Sequence, residues 1–319
     1  MIWNKMIDSV NIDLENMNAL ITGVGGFLGR ALAKYLLQAG ANVVGLAEQA
    51  SPIDLPKGTQ YHQVDIRDFD QLYHTLSQLH LEDATVFHLA AQSHVGKSRM
   101  DPLTTLSVNV MGTAHLLEAC RRVTFKRVIF PSTMLVYAKP TPLPIKETDA
   151  VQAGSVYAST KLASEALLKG YASDYGFSCR IARLGNGYGP SGAADSVVEI
   201  ILRQVKSGGP VSLKNLAPVR DFIYCDDVVS GLVALATHAN EPGCEIFNLA
   251  SGIPTSIREL AETACRIGNL ETKIIETESR SMNADDKVVL SIQRIKEFTQ
   301  WQPEWTLENG LRQTLFEMR

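Results

Sequence analysis

Two residues four apart, Tyr157 and Lys161, carry the first chemistry legible in this chain of 319 residues. On a helix they stand one turn above each other on the same face. An ammonium beside a phenol favours the phenolate and draws its pKa from about 10 towards neutrality, as a general base needs. A Tyr-x-x-x-Lys pair alone is a weak signal, since on the order of one is expected by chance in a chain this long. Its surroundings give it weight. Val128-Ile129-Phe130 reads as a buried strand whose C-terminal end delivers Pro131-Ser132-Thr133, and ligands in open parallel sheets lie beyond such strand ends. A Thr133 hydroxyl beside the tyrosine could bond the substrate oxygen that gains or loses a proton. The bland alternative is a capped turn beside a half-exposed surface ring.

The second signal is Thr22-Gly23-Val24-Gly25-Gly26-Phe27-Leu28-Gly29, set between an apolar run and a helical segment. A pyrophosphate can approach backbone N–H groups at such a helix N-terminus. Gly23 would make the tight turn, Gly26 would admit the phosphates, and Gly29 would let helix and strand pack. The spacing is G-x-x-G-x-x-G rather than G-x-G-x-x-G, a variant that still needs its strand-turn-helix context. Glu48, just past the next strand, can hold adenosine ribose hydroxyls, and no Lys or Arg is close in sequence, which favours NAD over NADP. Left open is a solvated loop carboxylate. Asp65 could meet the adenine amino group or could cap the helix beginning near Phe69.

These groups need a frame. Ala19–Ile21, Val43–Leu46, Thr85–Leu89, Arg127–Phe130, Cys179–Arg183 and Glu245–Leu249 read as buried strands. Arg30–Ala39, Val108–Arg122 and Val156–Tyr175 read as the helices between them. Strands alternating with helices predict an α/β fold, a Rossmann-type doubly wound parallel sheet. After Gly185 the alternation weakens and shorter helices follow, at Ser196–Lys206 and Ser256–Ile267. The expected division is a dinucleotide-binding domain of residues 18–184 and 221–250, and a smaller, discontinuous substrate lobe of 185–220 and 251–319. Residues 1–17 form an N-terminal extension.

Composition excludes other classes. Apolar residues are 45% and charged residues 20%, and 30 Lys+Arg against 34 Asp+Glu give a net −4 with no block of like charge. A nucleic-acid-binding face is therefore not expected. Five cysteines without a C-x-x-C pair suggest neither a disulfide framework nor a metal site. A reducing cytoplasm fits best. The N-terminus lacks the uninterrupted apolar run of a signal peptide, and no apolar stretch approaches the 18 or more residues of a membrane span. A soluble intracellular protein is the expectation.

The motifs together resemble the extended short-chain dehydrogenase/reductase family, in the branch labelled NAD-dependent epimerase/dehydratase that acts on nucleotide sugars. The resemblance rests on TGVGGFLG (22–29), DIRD (65–68), FHLAAQSHV (87–95), NVMGTAHLLEA (109–119), PSTMLVY (131–137), YASTK (157–161), RLGNGYGP (183–190), RDFIYCDDV (220–228) and TQWQPEWTLENGL (299–311). It implies Thr133, Tyr157 and Lys161 as the catalytic set. It also implies a dinucleotide site of Gly23, Gly26, Phe27, Leu28, Gly29, Glu48, Asp65, Ile66, Leu89, Ala90, Ala91 and Asn109, with Tyr157 and Lys161. Ser93, Thr133, Asn186, Arg220 and Arg280 would meet a nucleotide diphosphate sugar, and a homodimer is implied. Family dehydratases follow the catalytic Thr with an acidic or hydroxyl residue and then Glu, where this chain has Met134 and Leu135. Neither can transfer a proton. The resemblance thus implies a 4-epimerase with retained NAD. A 4-keto-6-deoxy-sugar reductase is the alternative, since Lys214–Phe222 also resembles members handling such sugars. A dinucleotide-sensing scaffold would not need the intact catalytic set.

Overall fold

The computed structural model describes residues 14–15, 17–50, 54–81, 83–139, 141–192, 195–239, 241–271, 273–278 and 287–318. Most of the expected N-terminal extension, and Arg280, lie outside the described residues. Among them the strands are, in chain order, β1 (Asn18–Thr22), β2 (Asn42–Ala47), β3 (Gln60–Gln63), β4 (Thr85–His88), β5 (Arg127–Thr133), β6 (Ser178–Leu184), β7 (Asn186–Tyr188), β8 (Val211–Leu213), β9 (Val219–Tyr224), β10 (Gly243–Leu249), β11 (Pro254–Ser256) and β12 (Ile274–Glu276).

Seven strands form one sheet in the order β10-β6-β5-β4-β1-β2-β3, each neighbouring pair parallel. A parallel sheet is covered on both faces, so successive residues must both be apolar and point opposite ways. Ile21, Phe87 and Ile129 join Leu32, Leu36, Val228 and Leu232 from the helices Phe27–Gln38 and Cys225–Thr237 on one side. Their neighbours Leu20, Val86 and Val128 join Leu72, Leu116 and Leu168 on the other. Burying such a side chain contributes about 1.5–3 kcal/mol. Chain order reverses at β1, with β2 on one side and β4 on the other, and a crevice opens at such a switch point.

The helix Val156–Tyr175 has the predicted limits because Ser155 caps it by accepting from the Ala158 N–H, and Gly176 closes it in the left-handed region at φ 68°. Strand β5 runs three residues beyond expectation, through Pro131 to Thr133. Its pairing with β4 stops at Ile129 while pairing with β6 continues to Thr133, so the proline owes no N–H to β4.

The smaller lobe holds the sheet β11-β9-β7 and the pair β12-β8. Helices Val197–Lys206, Ile257–Ile267 and Leu307–Glu317 supply Ile201, Leu202, Leu260, Ala264 and Leu311 to its core. Of the stretch 221–250 expected to return to the main sheet, the helix Cys225–Thr237 packs on it through Val228 and Leu232, and β10 joins it beside β6. Val219–Tyr224 instead pairs with β7 and β11.

Candidate active site

The C-terminal ends of β1, β2 and β4 open onto a cleft of about 480 Å3. Gly23 has φ +70°, and a Cβ there would lie 2.7 Å from the Ala90 nitrogen. A Cβ at Gly29 would lie 2.3 Å from the Gly23 carbonyl oxygen. Gly26 precedes the helix Phe27–Gln38 and gives it no side-chain cap, so its first-turn amides are left for an anion. Gly23, Gly26, Glu48, Asp65, Ile66, Leu89, Ala90 and Ala91 all line the cleft. A glycine turn for a pyrophosphate, carboxylates for ribose and adenine, and apolar walls for a base fit a dinucleotide. Phe27 and Leu28 turn their side chains to the hydrophobic cores while their backbone amides belong to that first turn, and Gly29 is buried under the turn.

The ribose end corrects one premise. No cation is near Glu48 in sequence, yet Arg67 reaches to 3.4 Å from its carboxylate. The same guanidinium forks onto Asp65 at 2.9 and 2.6 Å, and these bonds hold the Asp65 carboxyl below its usual range. Two carboxylates around one already bonded cation leave a net negative charge, which still opposes a 2′-phosphate. Asp65 does not cap the following helix; Asp68 does, accepting from the Gln71 N–H.

Tyr157 and Lys161 are both buried in the helix Val156–Tyr175. The Lys161 ammonium donates to the Pro131 carbonyl at 2.8 Å and sits 4.4 Å from the centre of the Phe130 ring. Burial pushes the Tyr157 phenol up to about 12. The spacing predicts a phenol drawn towards neutrality; in this geometry burial, by removing water from around the ring, moves it the other way. Burial also brings Lys161 down to about 7. Thr133 closes β5, its Oγ1 accepting from the Leu135 N–H at 3.3 Å. Met134 is buried among Tyr137, Ile145, Ala250, Val288 and Leu290, out of reach of any proton transfer.

A buried polar chain joins the glycine turn to the catalytic helix. The Ala90 N–H donates to Thr22 Oγ1, Thr22 bonds His88 Nδ1 at 2.8 Å, and His88 Nε2 bonds Thr113 Oγ1 at 2.9 Å. Thr113 in turn donates to the Asn109 carbonyl at 2.6 Å. Burial holds His88 neutral, its pKa pushed to about 3. Asn109, in the π turn Ser107–Met111, stands one layer behind the cleft. Its amide donates to the Gln92 carbonyl and to Thr160 Oγ1 while its Oδ1 accepts from the Gln92 N–H. Sequence reading missed His88, Arg67, and the ion pair of Glu165 with Arg183; the available signal was Glu165 four residues after Lys161.

On the substrate side, Asn186 pairs in register with Phe222, which puts Arg220, two residues along β9, on the same face. Asn186 Oδ1 is buried without a hydrogen-bond partner, as a group awaiting a ligand would be. The Arg220 guanidinium donates to the Val219 carbonyl at 2.9 Å. Ser93 is exposed in the loop after β4.

Residues 19–250 match the model of the NAD dependent epimerase/dehydratase family. The chain is 32% identical over 315 residues to a UDP-glucose 4-epimerase of Mycolicibacterium smegmatis, covering 94% of this chain and 97% of the relative. It is 31% identical over 305 residues to a GDP-6-deoxy-D-mannose reductase of Pseudomonas aeruginosa, covering 92% and 95%. Its fold superposes on the crystal structure of a UDP-glucose 4-epimerase from Thermotoga maritima with UDP-glucose, at a TM-score of 0.86 and 28% identity, covering 94% of this chain and 98% of that one.

Proposed function

The chain belongs to the NAD dependent epimerase/dehydratase family, and we propose that within it the protein is a nucleotide-sugar 4-epimerase that retains its NAD. The observation that carries this reading is a Thr133, Tyr157 and Lys161 set followed by Met134, buried in an apolar cluster. Tyr157 takes the proton from the sugar 4-hydroxyl, and Thr133 bonds the same oxygen. Lys161 stabilises the Tyr157 phenolate, which accepts this proton and becomes the neutral phenol. Glu48 holds the adenosine ribose hydroxyls, and Asn186, Arg220 and Arg280 hold the diphosphate. Bound NAD would supply the acceptor that takes the carbon-4 hydride and returns it.

In this reading residues 18–184 and 221–250 serve the dinucleotide and 185–220 and 251–319 the sugar. The relative acting as a GDP-6-deoxy-D-mannose reductase favours a second reading, reduction of a 4-keto-6-deoxy sugar. A panel of nucleotide hexoses without added reductant separates them: an epimerase yields an isomer of unchanged mass with no net NADH. Loss of water would refute the reading of Met134 and Leu135, and turnover only of a keto sugar with stoichiometric NAD(P)H oxidation would select the reductase.

Two further proposals accompany this. Five unpaired cysteines suit a cytoplasmic enzyme, and among the described residues no helix is long and apolar enough to cross a membrane. Met100 and Leu103, 86% and 76% exposed, suit a homodimer contact. Light scattering should give twice the chain mass and a monomer for Leu103→Glu.

A further inference from the structure

Lys161 sits where a cation should be lost: it is 5% exposed, and burial draws its ammonium down to about 7. The groups around it set what it keeps. Its own helix carries Tyr157 one turn before and Glu165 one turn after. Strand β5 offers the Pro131 carbonyl and the Phe130 ring. On β4 stands His88, held neutral by burial. Arg183 on β6 lies beyond, paired with Glu165, stacked 4.7 Å over the Tyr137 ring, and donating to the Glu147 carbonyl. Of these, Glu165 is the charge that acts on Lys161 against burial.

Glu165 is 1% exposed and fully engaged. It accepts from Arg183 at 3.1 and 2.7 Å and from the Ser132 hydroxyl at 2.6 Å. Ser132 lies between Pro131, which holds the lysine, and Thr133, which would meet the sugar. One carboxylate therefore ties the catalytic helix to β5, at the residue between those two, and to β6.

We propose that Glu165, buried behind the catalytic pair, is the positioning residue of this site: its charge keeps Lys161 cationic, and its clamp on Ser132 and Arg183 fixes Thr133 relative to Tyr157. The proposal rests on the catalytic reading of Thr133, Tyr157 and Lys161 given above. Charge and clamp separate in two variants. Glu165→Gln keeps the shape and removes the charge; Glu165→Asp keeps the charge and shortens the reach.

The test follows Lys161 directly by NMR titration of protein labelled with [13Cε]lysine, its signal assigned with Lys161→Met, alongside the pH profile of nucleotide-sugar turnover. Glu165→Gln should lower the lysine midpoint by about one unit and move the alkaline fall of activity to lower pH by the same amount, with KM little changed. Glu165→Asp should keep the midpoint near wild type while kcat falls. An unmoved midpoint in folded Glu165→Gln, or an Asp variant shifted as far as the Gln variant, overturns the proposal. Glu165→Gln leaves Arg183 buried and unpaired, so if it does not fold, the double variant Glu165→Gln/Arg183→Met removes both charges. It carries the same expectation of a lowered midpoint and is refuted by an unmoved one. The titration needs no sugar: failure to turn over any nucleotide hexose would count against the epimerase reading alone, and turnover with an unmoved midpoint against this proposal alone.

Discussion

Replacing Gly29 by alanine sets two known effects against each other. Gly29 lies inside the helix Phe27–Gln38, where alanine is favoured over glycine by about 1 kcal/mol. Against this, the new Cβ would stand 2.3 Å from Gly23 O, 2.7 Å from Val24 Cα and 2.8 Å from Val24 O. All three are backbone atoms, so no side chain can rotate away. Reaching ordinary contact near 3.5 Å requires the helix to retreat by about 1 Å, and Leu32 and Leu36 hold it in the core. Overpacking of this kind costs about 1–3 kcal/mol, and more where nothing yields. The expected net loss is about 2 kcal/mol after the helical gain. Gly170 is the control: it lies in the helix Val156–Tyr175, and a Cβ there meets nothing within 4 Å. Gly170→Ala should therefore gain about 1 kcal/mol. Urea melts of both variants, with unchanged m-values, should place them about 3 kcal/mol apart. NADH titration should show weakened binding for Gly29→Ala alone, because the turn it displaces faces the cleft. A Gly29→Ala protein as stable as wild type, or more stable, would refute the argument and leave helix propensity as the stronger effect.

Tyr157→Phe removes one oxygen and should keep fold and dinucleotide affinity while losing turnover by on the order of 10² to 10⁴-fold; activity within a few-fold of wild type would mean another group is the base. The wild type should bind NAD(H) more tightly than NADP(H), and Glu48→Ala should narrow the gap by leaving Arg67 with one carboxylate fewer beside the 2′ position. Dissociation constants for all four combinations decide it, and tighter NADP(H) binding by the wild type sinks it. Burial pushes the Asp226 carboxyl up to about 6 from 3.8, so the folded state keeps a proton that the unfolded chain releases between these values. Stability from this group is full below the lower value and is lost as pH rises through the upper one. Asp226→Asn should therefore be more stable at pH 8 by up to about 3 kcal/mol, with the advantage gone at pH 4; an equal gain at both pH values would contradict it.

The glycine turn, the central strands and the catalytic helix were legible because each rests on local rules. A strand buried on both faces shows as an apolar run, and the serine before Val156 and the glycine after Tyr175 mark that helix from both ends. What stayed hidden depends on contacts between distant segments. Arg67 meets Glu48 only after β2 and β3 pair, so a sequence window around Glu48 reports no cation. The raised Tyr157 phenol is a consequence of burial, which no residue spacing encodes. The segment from Asp221 is expected with the stretch that returns to the main sheet, yet as part of Val219–Tyr224 it pairs with β7 and β11 in the smaller lobe. The sequence reading ends β5 at Phe130, and the strand continues through Pro131 because β4 has already ended its pairing there.

The sheet order also sets a schedule for synthesis. Strand β6 lies between β5 and β10, but β10 leaves the ribosome about 60 residues later, roughly 3–12 s at ordinary elongation rates. During that interval one edge of a nearly complete sheet is open to strands of other chains. The residues on that edge include Arg180, buried once the sheet closes and then 3.7 Å from Glu245 of β10. Charged side chains on an open edge discourage pairing with a second nascent chain. Arg180 thus guards the unfinished edge before its partner Glu245 has been made, and a neutral residue there would expose the chain to aggregation before it could affect catalysis.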